Sequence, residues 1–173
     1  TVGAAPGPRP RSALLARAEA RRATAVVHLA LATAEQVLPA PADVPPGLPV
    51  VFTSADGDLD ILERNCATLA EPEPWISPNR FHNSVHNAPS GYWSIAAGWR
   101  GSSTTLAAGT ASFGAGLIEA LLTLATDRAE QCLLVAYDDA SPPAFRSVHA
   151  VEVPFAAALL LARAGHGPQL RTD

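Results

Sequence analysis

Ser77–Ala120 reads SPNRFHNSVHNAPSGYWSIAAGWRGSSTTLAAGTASFGAGLIEA, and this stretch decides the fold. Its order is loop, helix, strand, sharp small-residue turn, helix. Residues 82–99 have helical character, interrupted near Pro89 and Gly91 and ended by Gly98–Gly101. Ser103–Ala108 reads as a strand. Gly109–Ser112 then permits a tight turn into an Ala-rich helix over Phe113–Ala125. A side chain on such a turn sits at a helix N-terminus, where backbone N–H groups and the helix dipole stabilise negative charge. Many enzymes present a nucleophile in this way, and many α/β folds contain such a turn without one.

Working outward on the N-terminal side, Val50–Ser54 (VVFTS) is an apolar, β-branched run suited to a buried central strand. The turn Ala55–Asp58 follows, and Asp58 can cap a helix over Leu59–Ala70. Pro72, Pro74 and Pro78 enforce an extended loop past Trp75. Further upstream, Ser12 is a candidate N-cap for a helix over Ala13–Arg22, and a second helix spans Thr24–Leu38 until Pro39 stops it. The five prolines of Pro39–Pro49 predict a surface connection. On the C-terminal side, Cys132–Tyr137 (CLLVAY) is a third buried strand and Asp138–Pro143 a loop. Phe155–Ala162 is a fourth strand, and Gln169–Arg171 a short last one after a Gly165–Gly167 turn. Strands alternating with helices indicate a layered α/β fold. The expected organisation is an irregular segment over residues 1–12 and one domain over 13–173.

Composition narrows the function classes. Hydrophobic residues make up 48% and aromatics 6%, so the core is built from Ala, Leu and Val. All twelve basic residues are Arg, and the net charge is −4. Nucleic acid is not an expected partner, because the basic cluster Arg9, Arg11, Arg17, Arg21, Arg22 is isolated in a mildly acidic chain. That cluster reads as a solvated face, or as a docking patch for an acidic carrier protein. No apolar run is long enough for a membrane span. Cys66 and Cys132 are expected to be two buried free thiols of a cytoplasmic protein rather than a disulfide.

On the residues of the opening stretch, the chain resembles the N-terminal half of β-ketoacyl synthases of the thiolase superfamily. The carriers are Asn87, Ala88, Gly91, Ser94, Ile95, Gly98, Gly101, Glu119 and Ala120. The fold implied is a thiolase-like layered α-β-α half-fold. In that family the strand ends in a turn bearing the cysteine nucleophile. Counting forward from Gly101 and backward from Glu119 both put the equivalent position at Thr110. Glu19–Thr24, Phe81–Ala88 and Ala111–Leu117 are similar to one branch in particular. These are the short ketosynthase-like proteins of aryl polyene and xanthomonadin-type clusters, described as chain-length factors that partner a catalytic ketosynthase.

Decarboxylative condensation needs a thiolate to hold the acyl chain, two further groups for the malonyl carboxylate and enolate, and an oxyanion hole. In ketosynthases the two helpers come from the C-terminal half of a duplicated fold. The sequence at hand ends at Asp173, about one such half, with only His166 after the fourth strand. The expectation is therefore a non-catalytic, chain-length-factor-type subunit without a cofactor. It would pair with a full-length β-ketoacyl synthase and possibly engage an acyl carrier protein. Thr110, Ser112 and Phe113 would line the former nucleophile pocket. Asn83, His86, Asn87, Tyr92, Ile95, Thr104, Thr105 and Leu106 would form the interface, with the strand pairing across the dimer axis as in that superfamily. Two alternatives remain: a condensing enzyme or acyltransferase using Thr110 (with His82, His86 or His149 as candidate base) or another nucleophile, and a homodimeric binding module. His82 and His86, at i and i+4, would share a helix face, but no third metal ligand follows them, so no metal is expected. Trp75, Trp93 and Trp99 read as core or interface anchors.

Overall fold

The computed structural model describes residues 9–126 and 129–163. His166, the 165–167 turn, the 169–171 strand and most of the irregular start lie outside the described residues. Six α-helices and four strands are described: α1 (Arg17–Arg22), α2 (Ala25–Ala34), β1 (Val50–Thr53), α3 (Leu59–Leu69), α4 (Pro78–Asn83), α5 (Ala88–Ala96), β2 (Ser103–Leu106), α6 (Ser112–Ala125), β3 (Gln131–Asp138) and β4 (Phe155–Ala162).

The strands form one sheet in the order β2-β1-β3-β4. β1 runs parallel to both β2 and β3, while β4 is antiparallel to β3. The continuous apolar run VVFT is buried on both faces, as a central parallel strand requires. Alternation then sends side chains to two cores. Val50, Phe52, Leu133, Val135 and Tyr137 meet α2 and α5 residues such as Val27, Leu31 and Trp93. Val51, Cys132 and Leu134 meet Ala120 and Leu124 of α6 on the other face. The result is the expected α-β-α layering. Gly116 lets α6 lie close to the sheet, since a Cβ there would meet Thr53 Cγ2 at 2.8 Å and Leu134 Cδ1 at 3.0 Å. The Thr53 hydroxyl donates to the Ser112 carbonyl at 2.7 Å, tying the start of α6 to β1.

Local chemistry corrects several expectations. Ser12 caps no helix: α1 begins only at Arg17. Ser12 is buried, its hydroxyl bonds the Glu35 carboxylate, and its N–H donates to His28 Nδ1 at 3.3 Å. Glu35 also accepts the Ala13 N–H at 3.1 Å, so this carboxylate, just past the end of α2, ties residues 12–13 to that helix. α2 stops at Ala34, short of Leu38, and Thr24 caps it by accepting the Val27 N–H at 3.4 Å. The proline-rich connection is not wholly on the surface, because Leu48 is buried in the core. The helix expected over 82–99 is two helices, α4 and α5, separated by residues 84–87. Pro89 has no N–H to continue a preceding turn, so the helix restarts with Pro89 in its first turn. Cys66 is exposed rather than buried. The buried stripe of α3 is Ile61, Asn65 and Thr68, and the residue after Asn65 is turned away from it. No helix among the described residues is long and apolar enough to cross a membrane.

Candidate functional site

The parallel strands β2, β1 and β3 end at one edge of the sheet, where ligand sites of open α/β folds usually lie. After β2 the chain passes through a single 3-10 turn, Gly109–Ala111, directly into α6. Gly109 has φ +54°, in the left-handed region where glycine has no Cβ penalty. Ser112 is buried and spent on this turn: its hydroxyl accepts the Ala108 N–H at 2.9 Å and donates to the Gly109 carbonyl at 2.7 Å. Ser112 therefore fixes the turn and does not face a pocket. Thr110 is exposed at the turn's centre, and Phe113 is exposed beside it. No hydrogen bond among the described residues joins Thr110 to a histidine.

The three candidate bases are occupied elsewhere. His82 stacks edge-on against Tyr92, with ring centroids 5.6 Å apart. His86 donates through Nε2 to the Ser54 carbonyl at 3.2 Å. His149 bonds the Asp56 carboxylate through Nδ1, and that carboxylate raises the imidazole above its ordinary value. His82 lies on α4 and His86 in the break after it, so they do not share a helix face. Among the described residues no three His, Cys, Asp or Glu side chains gather into a metal site. The buried Cys132 thiol is pushed up to about 11, chiefly by burial, which makes it inert at neutral pH.

The second feature is the outer edge of β2. The Val50 N–H bonds the Ser102 carbonyl at 2.9 Å and the Ser54 N–H bonds the Leu106 carbonyl at 3.3 Å. The alternation of a parallel ladder therefore leaves the peptide groups of Ser103 and Thr105 on the open side. Along that side runs a groove of about 570 Å³. Its lining includes Asn87, Ser90, Gly91, Ser94, Arg100 and Thr105. The Ser90 and Thr105 hydroxyls meet at 3.1 Å and join α5 to β2. Of the expected interface residues, Asn87 and Thr105 line the groove, and Thr104 and Leu106 share the strand. Ile95 is 65% exposed. Asn83 and Tyr92, each 2% exposed, are corrections: both are buried in this chain's own core. Asn83 donates to the Arg22 carbonyl at 3.1 Å and to the Asn79 carbonyl at 2.9 Å, so its polarity serves internal packing. Ser90, Gly91 and Ser94 of the same groove fall within residues 83–95, the helical stretch expected at the interface, and Arg100 lies outside it. The signal present was small and hydroxyl residues at three- and four-residue spacing on α5. Trp93 and Trp99 are buried, whereas Trp75 is exposed.

The strand, the glycine turn and the helix behind it coincide with a family pattern. The model of the β-ketoacyl synthase N-terminal domain matches residues 3–173. The chain belongs to the β-ketoacyl synthase family. Among solved structures it is similar to the ketosynthase ApeO in complex with its chain length factor ApeC from Xenorhabdus doucetiae. The identity is 30% and the TM-score 0.76, over 88% of this chain and 63% of that one. The chain thus spans less than two thirds of that relative. The ishigamide ketosynthase/chain length factor gives 19% identity and a TM-score of 0.60, over 72% of this chain and 39% of that one. A β-ketoacyl synthase from Burkholderia phymatum STM815 gives 16% and 0.66, over 82% and 36%. These last two share the fold. Comparison with curated proteins gives no match. In this β-ketoacyl synthase domain, Thr110 stands on the turn between β2 and α6.

Proposed function

We propose that this chain is a non-catalytic, chain-length-factor-type subunit that pairs with a full-length β-ketoacyl synthase. The pathway class would be polyketide- or fatty-acid-type chain building of the aryl polyene kind. The observation that carries the reading is Thr110, exposed on the turn between β2 and α6 with no base among the described residues hydrogen-bonded to it. An alcohol without a base is a poor nucleophile at neutral pH. The Xenorhabdus neighbour, solved as a ketosynthase with its chain length factor, supports the pairing.

The partner would dock along β2 and the α5 groove, adding a strand to the open edge, with acyl carrier protein as a further contact. An exposed edge invites pairing and must be covered or managed. Two experiments test this. Incubation of the isolated chain with acyl-loaded carrier protein should give no covalent adduct; acylation at Thr110 would refute the non-catalytic reading. Co-expression with a full-length ketosynthase should yield a copurifying complex. Ser103→Pro removes an outward N–H at the first position of β2 without touching the β1 ladder. It should weaken that complex at least about tenfold while the circular dichroism spectrum stays unchanged. A complex of undiminished affinity would place the partner elsewhere.

A further inference from the structure

Residues 139–153, between β3 and β4, form a loop in which Pro142 is buried while Val148 is 84% exposed and Val153 is 56% exposed. The Arg9–Asp139 pair, at 3.1 Å, anchors its first residue. Two further polar attachments hold the rest. The first is internal and centres on Ser141, which is buried. Its N–H donates to the Val151 carbonyl at 2.8 Å and its hydroxyl donates to the His149 carbonyl at 2.8 Å. The same hydroxyl accepts the Val151 N–H at 3.0 Å, and the Ser141 carbonyl accepts Arg146 Nε at 3.1 Å. The second attachment reaches across to another element. His149 bonds Asp56 in the turn between β1 and α3, with both side chains about a quarter exposed.

That turn is itself rigid. The Ser54 hydroxyl donates to Asp138 Oδ1 at 2.8 Å, the Ala55 N–H donates to the same oxygen at 2.9 Å, and the Gly57 N–H donates to the Ser54 hydroxyl at 2.8 Å. Beyond the Arg9–Asp139 pair at the loop's first residue, the side-chain tie from residues 140–153 to another element, among the described residues, is His149 on Asp56.

We propose that the Asp56–His149 contact is a pH-operated latch, drawn tight when the imidazole carries two protons and slack when it carries one. Only the charged ring adds an ion pair to the hydrogen bond with the carboxylate. The surrounding groups reinforce this. Asp56 faces the ring from the β1–α3 turn and Asp138 faces it from the end of β3; both favour the charged form. The cations nearby are engaged: Arg9 with Asp139 at 3.1 Å, and Arg146 with the Ser141 carbonyl. Because the folded-state value is raised, the latch is at full strength below the ordinary imidazole value of about 6.5. It weakens as pH climbs through the raised value. His86, which holds the same turn from the α4–α5 break, donates from Nε2 to a carbonyl. Its acceptor is an uncharged carbonyl, whereas His149 is tied to a carboxylate. The latch stands independently of the partner proposed above.

Amide hydrogen exchange of residues 143–153 in the full chain, between pH 5.5 and 8.5 and corrected for intrinsic exchange, tests the inference. Protection should be about two- to fivefold greater at the acid end, the range of a solvent-accessible ion pair. His149→Gln and Asp56→Asn should each flatten the profile at its low-protection limit. Ser141→Ala should lower protection at every pH while leaving the slope. In Asp56→Asn the His149 ring resonances should titrate at a lower pH than in the parent. Protection in the parent that is flat with pH, or a slope that survives His149→Gln, would overturn the latch.

Discussion

Gly114 and Gly116 lie two residues apart on the same helix, and the packing predicts opposite responses to the same substitution. A Cβ at Gly116 would meet Thr53 Cγ2 at 2.8 Å, Leu134 Cδ1 at 3.0 Å and Thr53 Cβ at 3.0 Å. Relaxed carbon contacts need about 3.5 Å, so α6 must move outward by about 0.7 Å or the sheet must yield. The Thr53 Cβ is set by the backbone of a buried central strand, and its hydroxyl is engaged with the Ser112 carbonyl. Rotating the side chain away therefore breaks a buried bond. Overpacking of this kind costs about 1–3 kcal/mol, against a helix-propensity gain of about 1 kcal/mol for Gly→Ala. Gly116→Ala should lose up to about 2 kcal/mol net, equivalent to at most roughly 8 °C in a domain of this size. Gly114 has nothing within 4 Å of its Cβ position, so Gly114→Ala should gain up to about 0.5 kcal/mol. Urea unfolding followed by circular dichroism separates the two, with the midpoints moving in opposite directions at constant slope. If Gly116→Ala gains stability as Gly114→Ala does, the close approach of α6 to β1 is wrong.

The thiols should differ sharply in reactivity. One equivalent per chain, at Cys66, should react quickly with Ellman's reagent at pH 8, and Cys132 only after denaturant is added; two fast thiols would contradict the burial of β3. Ser112→Ala should cost about 1–2 kcal/mol in urea unfolding, because the Ala108 N–H and Gly109 carbonyl lose their shared hydroxyl. An unchanged midpoint would show that the turn holds its shape without Ser112.

Much of the fold was legible because the signals were local. VVFT and CLLVAY are continuous apolar runs, which suit strands buried on both faces. Asp58 precedes α3 and does cap it, accepting the Ile61 N–H at 3.0 Å. The site was legible in part. The turn at Gly109–Ala111 followed from small residues between a strand and a helix, and the structure places it there. Ser112 was assigned to a pocket but closes the turn, because its nearest partners are the orphan backbone groups of that turn. His149 meets Asp56 across 93 positions of sequence, and no local pattern could announce it.

The sequence by itself determined the four described strands, the turn after β2 and the α/β layering. Those depend on periodicity, caps and turn residues, which act over a few positions. The tertiary structure alone decided that Asn83 and Tyr92 are buried, that Cys66 is exposed and that β2 is an edge strand. It also decided that His82, His86 and His149 each have a partner away from Thr110. The reason is that each of these is settled by which elements the sheet order brings side by side, and that order is fixed by long-range pairing of β1 with both β2 and β3.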